Sequence, residues 1–364
     1  MAMARERRKV KVGVIGLRFG SAFARIFSEH PDSELVAIAD LEPEARNALA
    51  PVVPARRVYT AFEEVIGDRE IEAVGVFTPA PLHANHACAA LEAGKHVLCA
   101  VPAALTLEDC RRLIESADRS GRTYMMAETS CYYPEILHLQ SLARSQAMGE
   151  IFYCESDYFH DSEQDPTTWQ GPQHRGGWRE GFPPFFYITH NSSAIITVTG
   201  QRMTAAAALG WGPKDDALFP NNPYRNPFTL GVGLFRLSGG GIARIGLCWR
   251  VAHPGYVRFK FFGTKRCFES GDFAWEQDVM TSRETGAQKM ELTPPVELLP
   301  AGLGRHTGHK GSHPFIVHEF LRAIIEQRPA AVDARTAVAF TAPGICAHES
   351  CLRNGEWVEI PAFE

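Results

Sequence analysis

The clearest acid–base pair of the sequence lies in the segment FFYITHNSS, at Tyr187 and His190. The two residues are three positions apart in a segment that we predict to be helical, so both side chains can project toward one cleft. Histidine titrates near neutral pH, which fits a reaction in which a hydroxyl group must lose its proton. The alternative is a tyrosine and a histidine that pack in the core.

A loop rich in aromatic and basic residues, WQGPQHRGGWREG, precedes that segment. Indole rings pack on the apolar faces of sugars, and arginine side chains bind carboxylates or phosphates. The predicted substrate-binding residues are Trp169, Arg175, Trp178 and Arg179 of this loop, and His160 of DYFHDSE. The alternative for the loop is an interface segment that buries tryptophan against a neighbouring subunit. Because His160, Asp161 and His190 lack a recognisable ligand spacing, no metal site is predicted.

A glycine turn occurs near the start of the chain, where Gly16 of GVIGLRFGSAFA ends a predicted strand and begins a predicted helix. Such a turn lets backbone N–H groups and the helix N-terminus face a pyrophosphate. The pattern G-x-G-x-x-G reads here as Gly16, Arg18 and Ser21, so only its first glycine is present. Arg18 is therefore either a phosphate contact or a solvated surface cation.

An aspartate, Asp40, ends the second predicted strand at VAIAD. A carboxylate at this place can accept hydrogen bonds from an adenosine ribose and repel a 2'-phosphate, which favours NAD over NADP as the cofactor. The alternative is that Asp40 is the N-cap of the helix predicted for LEPEARN.

The elements that must position these residues form two groups. Up to about residue 128, short apolar runs alternate with helical patterns, which is typical of a doubly wound parallel sheet with helices on both faces. We therefore predict an α/β fold with a Rossmann-like dinucleotide-binding domain at residues 1–128. Residues 129–364 are predicted to form an α+β domain for substrate binding and oligomerisation, with a large, mostly antiparallel open sheet. A dimer or tetramer is expected from that open face.

A late amphipathic helix is predicted in HPFIVHEFLRAIIEQRP, with Ile316, Phe320 and Ile324 on one face and Pro329 after its end.

Composition excludes several classes of partner. The 364 residues carry 37 Lys and Arg against 42 Asp and Glu, so a formal net charge of -5 provides no field to hold nucleic acid. We see no signal peptide and no run of about 18 to 20 apolar residues that could span a membrane. The nine cysteines are scattered without CxxC spacing, so we expect reduced thiols in a soluble, cytoplasmic protein.

Several segments taken together resemble the Gfo/Idh/MocA oxidoreductases. They include VGVIG, TPAPLHANHACAALEAGKHVLC, YMMAETSCYYPEI, MGEIFYCESDYFHD and FPPFFYITHNSSAIITVTGQR. The resemblance implies that Thr78, Pro79 and His83 border the nicotinamide and its ribose, and that Glu128 lies near the nicotinamide. The predicted cofactor-binding residues are Gly16, Arg18, Phe19, Asp40, Thr78, Pro79, His83 and Pro102.

The chain departs from the family pattern at Ala100, Val101 and Pro102, which stand where relatives usually have Glu-Lys-Pro. The resemblance implies that the lysine contacts the nicotinamide ribose and the reacting hydroxyl. Val101 offers neither a proton relay nor a positive charge. Thr129 stands where many relatives have asparagine.

Three interpretations follow. The leading one is NAD-dependent oxidation of a hydroxyl on a sugar, cyclitol or related polyol, with His190, Tyr187 and Glu128 as the catalytic residues. Its variant is redox-assisted glycoside cleavage, because the Tyr-x-x-His pattern resembles a branch that includes NAD-dependent glycosidases. The third is a non-catalytic member of the family whose nucleotide site has degenerated.

Overall fold

A computed structural model describes residues 8–161, 177–214, 221–253, 255–271 and 276–363. The chain divides into two compact units. The first contains the described parts of residues 1–104, 108–133 and 294–337, and the second those of residues 105–107, 134–293 and 338–364. The first unit thus combines the segment predicted to bind a dinucleotide with a later segment, because helix α8 (Gly308–Glu326) packs on helix α1 (Leu17–Glu29).

The first unit is built on a parallel sheet of six strands in the order β3-β2-β1-β4-β5-β6. The strands are β1 (Val10–Ile15), β2 (Ser33–Ala39), β3 (Arg57–Tyr59), β4 (Ala73–Val76), β5 (His96–Cys99) and β6 (Tyr124–Met126). The other helices along this stretch are α2 (Pro43–Leu49), α3 (Phe62–Gly67), α4 (His83–Glu92) and α5 (Leu107–Ser120). This order confirms the predicted doubly wound sheet. The strand order runs in one direction from β1 to β3 and in the other from β4 to β6, and such sheets bind ligands at the point between β1 and β4 where the direction reverses.

Burial explains why α1 forms beside the sheet. Its apolar residues Phe23, Ile26 and Phe27 recur at helical spacing and are fully buried. Phe27 also packs edge-on against Phe320 of α8, with ring centroids 6.4 Å apart. The predicted late helix is confirmed as α8, which ends at Glu326.

The second unit contains a nine-stranded sheet in the order β14-β13-β12-β11-β7-β10-β9-β8-β15 among the described residues. Its strands are β7 (Ile151–Phe159), β8 (Met203–Trp211), β9 (Leu230–Leu237), β10 (Ile242–Cys248), β11 (Tyr256–Gly263), β12 (Arg266–Glu269), β13 (Asp278–Ser282), β14 (Gly286–Met290) and β15 (Val358–Glu359). Among the described strands of this sheet only β7 and β10 pair in parallel, so the predicted large, mostly antiparallel sheet is confirmed.

Helix α7 (Thr189–Thr199) covers one face of this sheet by packing on β7, β10 and β11. The other helices of this part of the chain are α6 (Pro134–Arg144) and α9 (Ala334–Leu352). The covered face buries large side chains such as Phe235, Phe259 and Phe261. In the part of the chain that the structure describes, no helix is both long and apolar enough to cross a membrane.

Candidate active site

The turn at Gly16 brings the ends of β1 and β4 together. Gly16 has φ +85°, and a Cβ atom at this position would lie 2.3 Å from the carbonyl oxygen of Phe77 and 2.7 Å from the backbone nitrogen of Thr78. Only glycine fits there. The first i to i−4 bond of α1 runs from Gly20 N–H to the carbonyl of Gly16, so the N–H groups of Arg18 and Phe19 belong to the open first turn of the helix.

Asp40 lies next to this turn, and two backbone groups bind its carboxylate. The N–H of Leu17 donates to Oδ2 at 2.6 Å and the N–H of Glu42 donates to Oδ1 at 2.9 Å. The N-cap position of α2 is Glu42 and not Asp40, because α2 begins at Pro43. Each carboxylate oxygen has two lone pairs, so Asp40 retains acceptor capacity for ribose hydroxyls. A carboxylate that accepts hydrogen bonds, beside a glycine turn whose N–H groups donate them, fits a dinucleotide.

The side chain of Arg18 is exposed and its guanidinium is paired with Glu42, at 2.6 Å. This exposed position fits the surface cation among the two alternatives for Arg18, and a phosphate contact by its side chain stays a prediction. The ring of Phe19 packs inward on Phe77, with ring centroids 5.8 Å apart, and on two histidines of the first unit, His309 and His313. Phe19 can therefore reach a diphosphate through its backbone N–H, while its ring fixes the start of α1.

His83 ties the loops after β4 and β5 to each other. Its Nε2 lies 2.7 Å from the carbonyl oxygen of Thr78, and its Nδ1 lies 2.8 Å from the carbonyl oxygen of Pro102. The imidazole is only 2% exposed, so it holds the two loops together from the interior of the first unit. Thr78 is also held by a side-chain contact of 3.0 Å to Nδ1 of His86, while Pro79 is exposed.

Val101 and Glu128 follow neighbouring strands at the carboxyl edge of the parallel sheet. The N–H of Ala127 donates to the carbonyl of Cys99 at 2.7 Å, which aligns the ends of β5 and β6. Glu128 is fully buried and accepts a hydrogen bond from the N–H of Ser130 at 2.9 Å. Val101 is buried as well, with 8% of its surface exposed, and the Val101–Pro102 peptide bond is cis. Position 101 therefore brings an apolar side chain to this edge.

The second unit contains an aromatic cluster around His190. The His190 ring stacks on Tyr158 at 5.0 Å between centroids and meets the edge of Tyr187 at the same distance. His160 lies edge-on to Tyr158 at 4.3 Å, and Trp249 lies 5.5 Å from Tyr187. The structure thus brings together Tyr187 and His190, which the sequence predicted to face one cleft, and His160, which it predicted to bind substrate. We call Tyr158, His160, Tyr187, His190 and Trp249 the His190 cluster.

The local backbone at the His190 cluster differs from one continuous helix. Residues 184–187 form a 3-10 turn, and α7 begins two residues after Tyr187. Sequence reasoning missed Tyr158 and Trp249, which come from β7 and from just after β10. The alternation of Glu155 and Asp157 with less polar residues along β7 could have placed Tyr158 on the covered face. No local pattern identifies Trp249, whose indole N–H donates to the carbonyl of Phe182 at 3.1 Å.

Two residues of the aromatic loop connect to this cluster through Phe182. Trp178 lies 5.5 Å from Phe182, which in turn lies 6.4 Å from Tyr187. The guanidinium of Arg179 stacks 4.5 Å above the Trp178 ring. Trp169 and Arg175 lie outside the described residues. Among the described residues, no group of three or more His, Cys, Asp or Glu side chains could hold a metal ion.

Comparison with known proteins gives a family match for the N-terminal part of the chain. Residues 10–128 match the Gfo/Idh/MocA family model, described as an oxidoreductase family with an NAD-binding Rossmann fold. An uncharacterized oxidoreductase of Streptococcus pneumoniae serotype 4 is 25% identical over 229 residues, which are 60% of this chain and 60% of that protein. The chain thus spans less than two thirds of that relative. A glycosyl hydrolase family 109 protein of Streptomyces niveus is 25% identical over an alignment of 405 positions, covering 98% of this chain and 78% of that protein.

A solved structure supports the same fold over the whole chain. Levoglucosan dehydrogenase, in complex with NADH and levoglucosan, has a TM-score of 0.83 at 20% identity and covers 97% of this chain and 100% of that one. This similarity shows the fold. With the match at residues 10–128, it confirms the resemblance that the sequence segments predicted.

Proposed function

We propose that this chain, whose residues 10–128 belong to the Gfo/Idh/MocA oxidoreductases, oxidises a hydroxyl group of a sugar, cyclitol or related polyol with NAD. The observation that carries the proposal is the meeting of the Gly16 turn, the end of β4 and the Asp40 carboxylate at the reversal point of the parallel sheet. Parallel sheets bind nucleotides at that point, and a carboxylate there selects a ribose with free hydroxyls.

The first unit supplies the binding groups for the cofactor. The open first turn of α1, at Arg18 and Phe19, presents N–H groups and the positive end of a helix dipole to a diphosphate. Asp40 accepts from the ribose hydroxyls and repels a 2'-phosphate, so we propose NAD rather than NADP. Thr78, Pro79 and Pro102 border the nicotinamide end, and buried Glu128 lies at the same edge. NAD, when bound, accepts a hydride from the carbon that carries the reacting hydroxyl.

The second unit supplies the groups for the substrate. In this proposal His190 takes the proton of the reacting hydroxyl, and Tyr187 hydrogen-bonds to the same oxygen or to a neighbouring one. Tyr158 stacks on the His190 ring, and Trp249 packs edge-on against Tyr158, which restricts the orientation of the His190 ring. Trp178, with Arg179 stacked on it, offers an indole face on which a sugar can pack. His160 lies at the edge of Tyr158 and would contact polar substituents.

A second candidate function is glycoside cleavage that uses transient oxidation. The observation that favours it is the alignment with a glycosyl hydrolase family 109 protein over 98% of this chain. The two reactions differ in their products. Incubation with nitrophenyl glycosides would release nitrophenol without accumulation of NADH if the chain is a glycosidase. A dehydrogenase would instead accumulate NADH in proportion to oxidised sugar.

The experiment that tests cofactor binding is thermal unfolding with millimolar NAD, NADH, NADP or NADPH. A ligand that binds only the folded protein raises the midpoint temperature. We expect NAD and NADH to raise it more than the two phosphorylated forms. If none of the four raises it, acid release followed by absorbance measurement distinguishes a retained cofactor from an empty, non-catalytic protein. An absence of nucleotide in both measurements would contradict the proposal.

We also propose that the chain forms a homo-oligomer through the face of the nine-stranded sheet opposite α7. Val232 and Leu234 of β9 alternate outward on that face, and Leu209 of β8 lies directly opposite Val232. These three side chains are between 39% and 64% exposed. Beside them Arg244 binds Asp157 through two bonds of 2.7 and 2.9 Å. An apolar patch next to ion pairs is typical of a subunit interface.

A further inference from the structure

The start of α8 contains a turn of unusual backbone conformation. His309, Lys310 and Gly311 have φ values of 49°, 55° and 79°, so three consecutive residues lie in the left-handed region. Two of them carry side chains, for which this region is costly. Such conformations persist where the surrounding structure imposes them, and they concentrate at functional sites. We call residues 308–311 the left-handed turn.

Contacts within the first unit hold the left-handed turn in place. The N–H of Gly311 donates to the carbonyl of Thr307 at 3.0 Å. The ring of His309 lies 5.5 Å from Phe19 at the start of α1 and 4.8 Å from His313. The turn is therefore tied to the same helical turn whose N–H groups can face a diphosphate.

The conformation of this turn places the ammonium group of Lys310 over the face of Tyr133, 5.0 Å from the ring centroid. The hydroxyl of Tyr133 lies 3.4 Å from Oγ1 of Thr129, and Thr129 directly follows Glu128. The ammonium thus lies beside the segment that leaves β6. The neighbouring strand, β5, leads to Val101, which carries no charge.

We propose that Lys310, held by the left-handed turn, supplies to the nicotinamide end of the site the positive charge that position 101 lacks. The proposal rests on the proposed function, because it requires a nicotinamide cofactor. An ammonium group at this place would stabilise the oxygen of the substrate as it loses its proton. It would also disfavour the oxidised nicotinamide ring, which is positively charged, relative to the neutral reduced ring.

That electrostatic difference gives a test that needs no substrate. The dissociation constants of NAD+ and NADH are measured by calorimetry at pH 8, where an ordinary histidine is neutral, for the wild type and for Lys310→Met and Lys310→Arg. The control is Lys289→Met, which removes an exposed lysine of β14 in the second unit. Circular dichroism and the unfolding midpoint establish that each variant is folded.

We expect Lys310→Met to bind NAD+ more tightly relative to NADH. The dissociation constant of NAD+ divided by that of NADH should fall at least threefold. Lys310→Arg keeps the charge and should keep the ratio, and Lys289→Met should not change it. The effect should shrink in high salt. An unchanged ratio in Lys310→Met, or an equal loss of affinity for both forms, would overturn the proposal for Lys310 while leaving the cofactor assignment intact. Wild-type protein that binds neither form would overturn both.

Discussion

The Oδ2 atom of Asp40 accepts a 2.6 Å hydrogen bond from the backbone N–H of Leu17, and this bond joins the end of β2 to the first residue of α1. The carboxylate therefore stabilises the start of the helix that is proposed to face the diphosphate. The same group is proposed to select the ribose. Two roles at one carboxylate can be separated, since the first requires an oxygen acceptor and the second requires a negative charge.

We expect Asp40→Asn to bind NADP at least tenfold better relative to NAD, because the 2'-phosphate is no longer repelled. It should keep part of the stability, since the amide oxygen can still accept from Leu17 while the amide nitrogen cannot accept from Glu42. Asp40→Ala should show the same change in cofactor preference and also lose about 1 kcal/mol of unfolding free energy, as helix-capping substitutions do. Calorimetric titration and urea denaturation measure the two effects.

The control for Asp40 is Glu42→Gln, which removes the nearby negative charge that is paired with Arg18. It should leave the preference for NAD within twofold. If Asp40→Asn binds NADP no better than the wild type does, the carboxylate does not face the ribose.

Substitution of His190 tests the proposed proton transfer. We expect His190→Asn to lower the turnover number by about a hundredfold or more on the best substrate from a panel of sugars and cyclitols, because positioned proton transfer contributes that much. The dissociation constant for NADH should stay within about threefold. Tyr187→Phe keeps the ring that contacts His190 and removes the hydroxyl, so its effect on turnover should be smaller.

A matched control for His190 is His138→Asn, which changes a partly buried histidine on α6 in the same unit. It should leave the turnover number unchanged. Activity that survives in His190→Asn would show that another residue handles the proton.

The first sheet could be predicted because its signals are local. Each strand is a short apolar run, and Gly16 and Asp40 follow directly after strands. The pairing of Tyr187 and His190 also follows from a spacing of three residues. In contrast, Tyr158 and Trp249 join His190 only through the pairing of β7 with β10, and strand register depends on contacts distant in sequence.

The left-handed turn shows a different limit. Its sequence, GHKG, contains glycines at both ends, but the left-handed conformation includes His309 and Lys310, which disfavour it. Local preference predicts an ordinary helix start there. The contact of His309 with Phe19 is distant in sequence and accompanies the observed conformation, so the position of Lys310 could not be derived from the sequence.

His313 should make the protein less stable in acid. Burial, together with the nearby positive charges of His309 and His306, lowers the pKa of His313 to about 3. In the unfolded chain a histidine has a pKa of about 6.5. Between these values the unfolded state binds a proton that the folded state does not, so stability falls as pH falls from about 6.5 to about 3 and is unaffected above that window. One proton corresponds to a slope of about 1.4 kcal/mol per pH unit.

We expect His313→Phe to reduce that slope by about 1.4 kcal/mol per pH unit, which corresponds to one proton. Urea denaturation at several pH values measures the slope. A phenyl ring can pack on Phe23, which the imidazole contacts at 4.6 Å between centroids. Some acid sensitivity should remain, since burial also lowers the pKa of His96 and His348 to about 4. Phe27→Leu is the control, because Phe27 is buried against Phe320 and its substitution should lower stability by the same amount at every pH. Equal slopes in His313→Phe and wild type would contradict the assignment.

The exposed apolar side chains of β8 and β9 predict that the chain assembles through this face of the sheet. Leu234→Glu places a carboxylate in the middle of the exposed apolar side chains of β8 and β9, where burying it against a second copy would be costly. We expect this variant to sediment as a monomer at concentrations where the wild type is a dimer or tetramer. Leu298→Glu changes another exposed leucine, which lies in the first unit, and should leave the mass unchanged. Because Leu234 points away from the covered face, the monomeric variant should still bind NADH. A wild type that sediments as a monomer would contradict the interface.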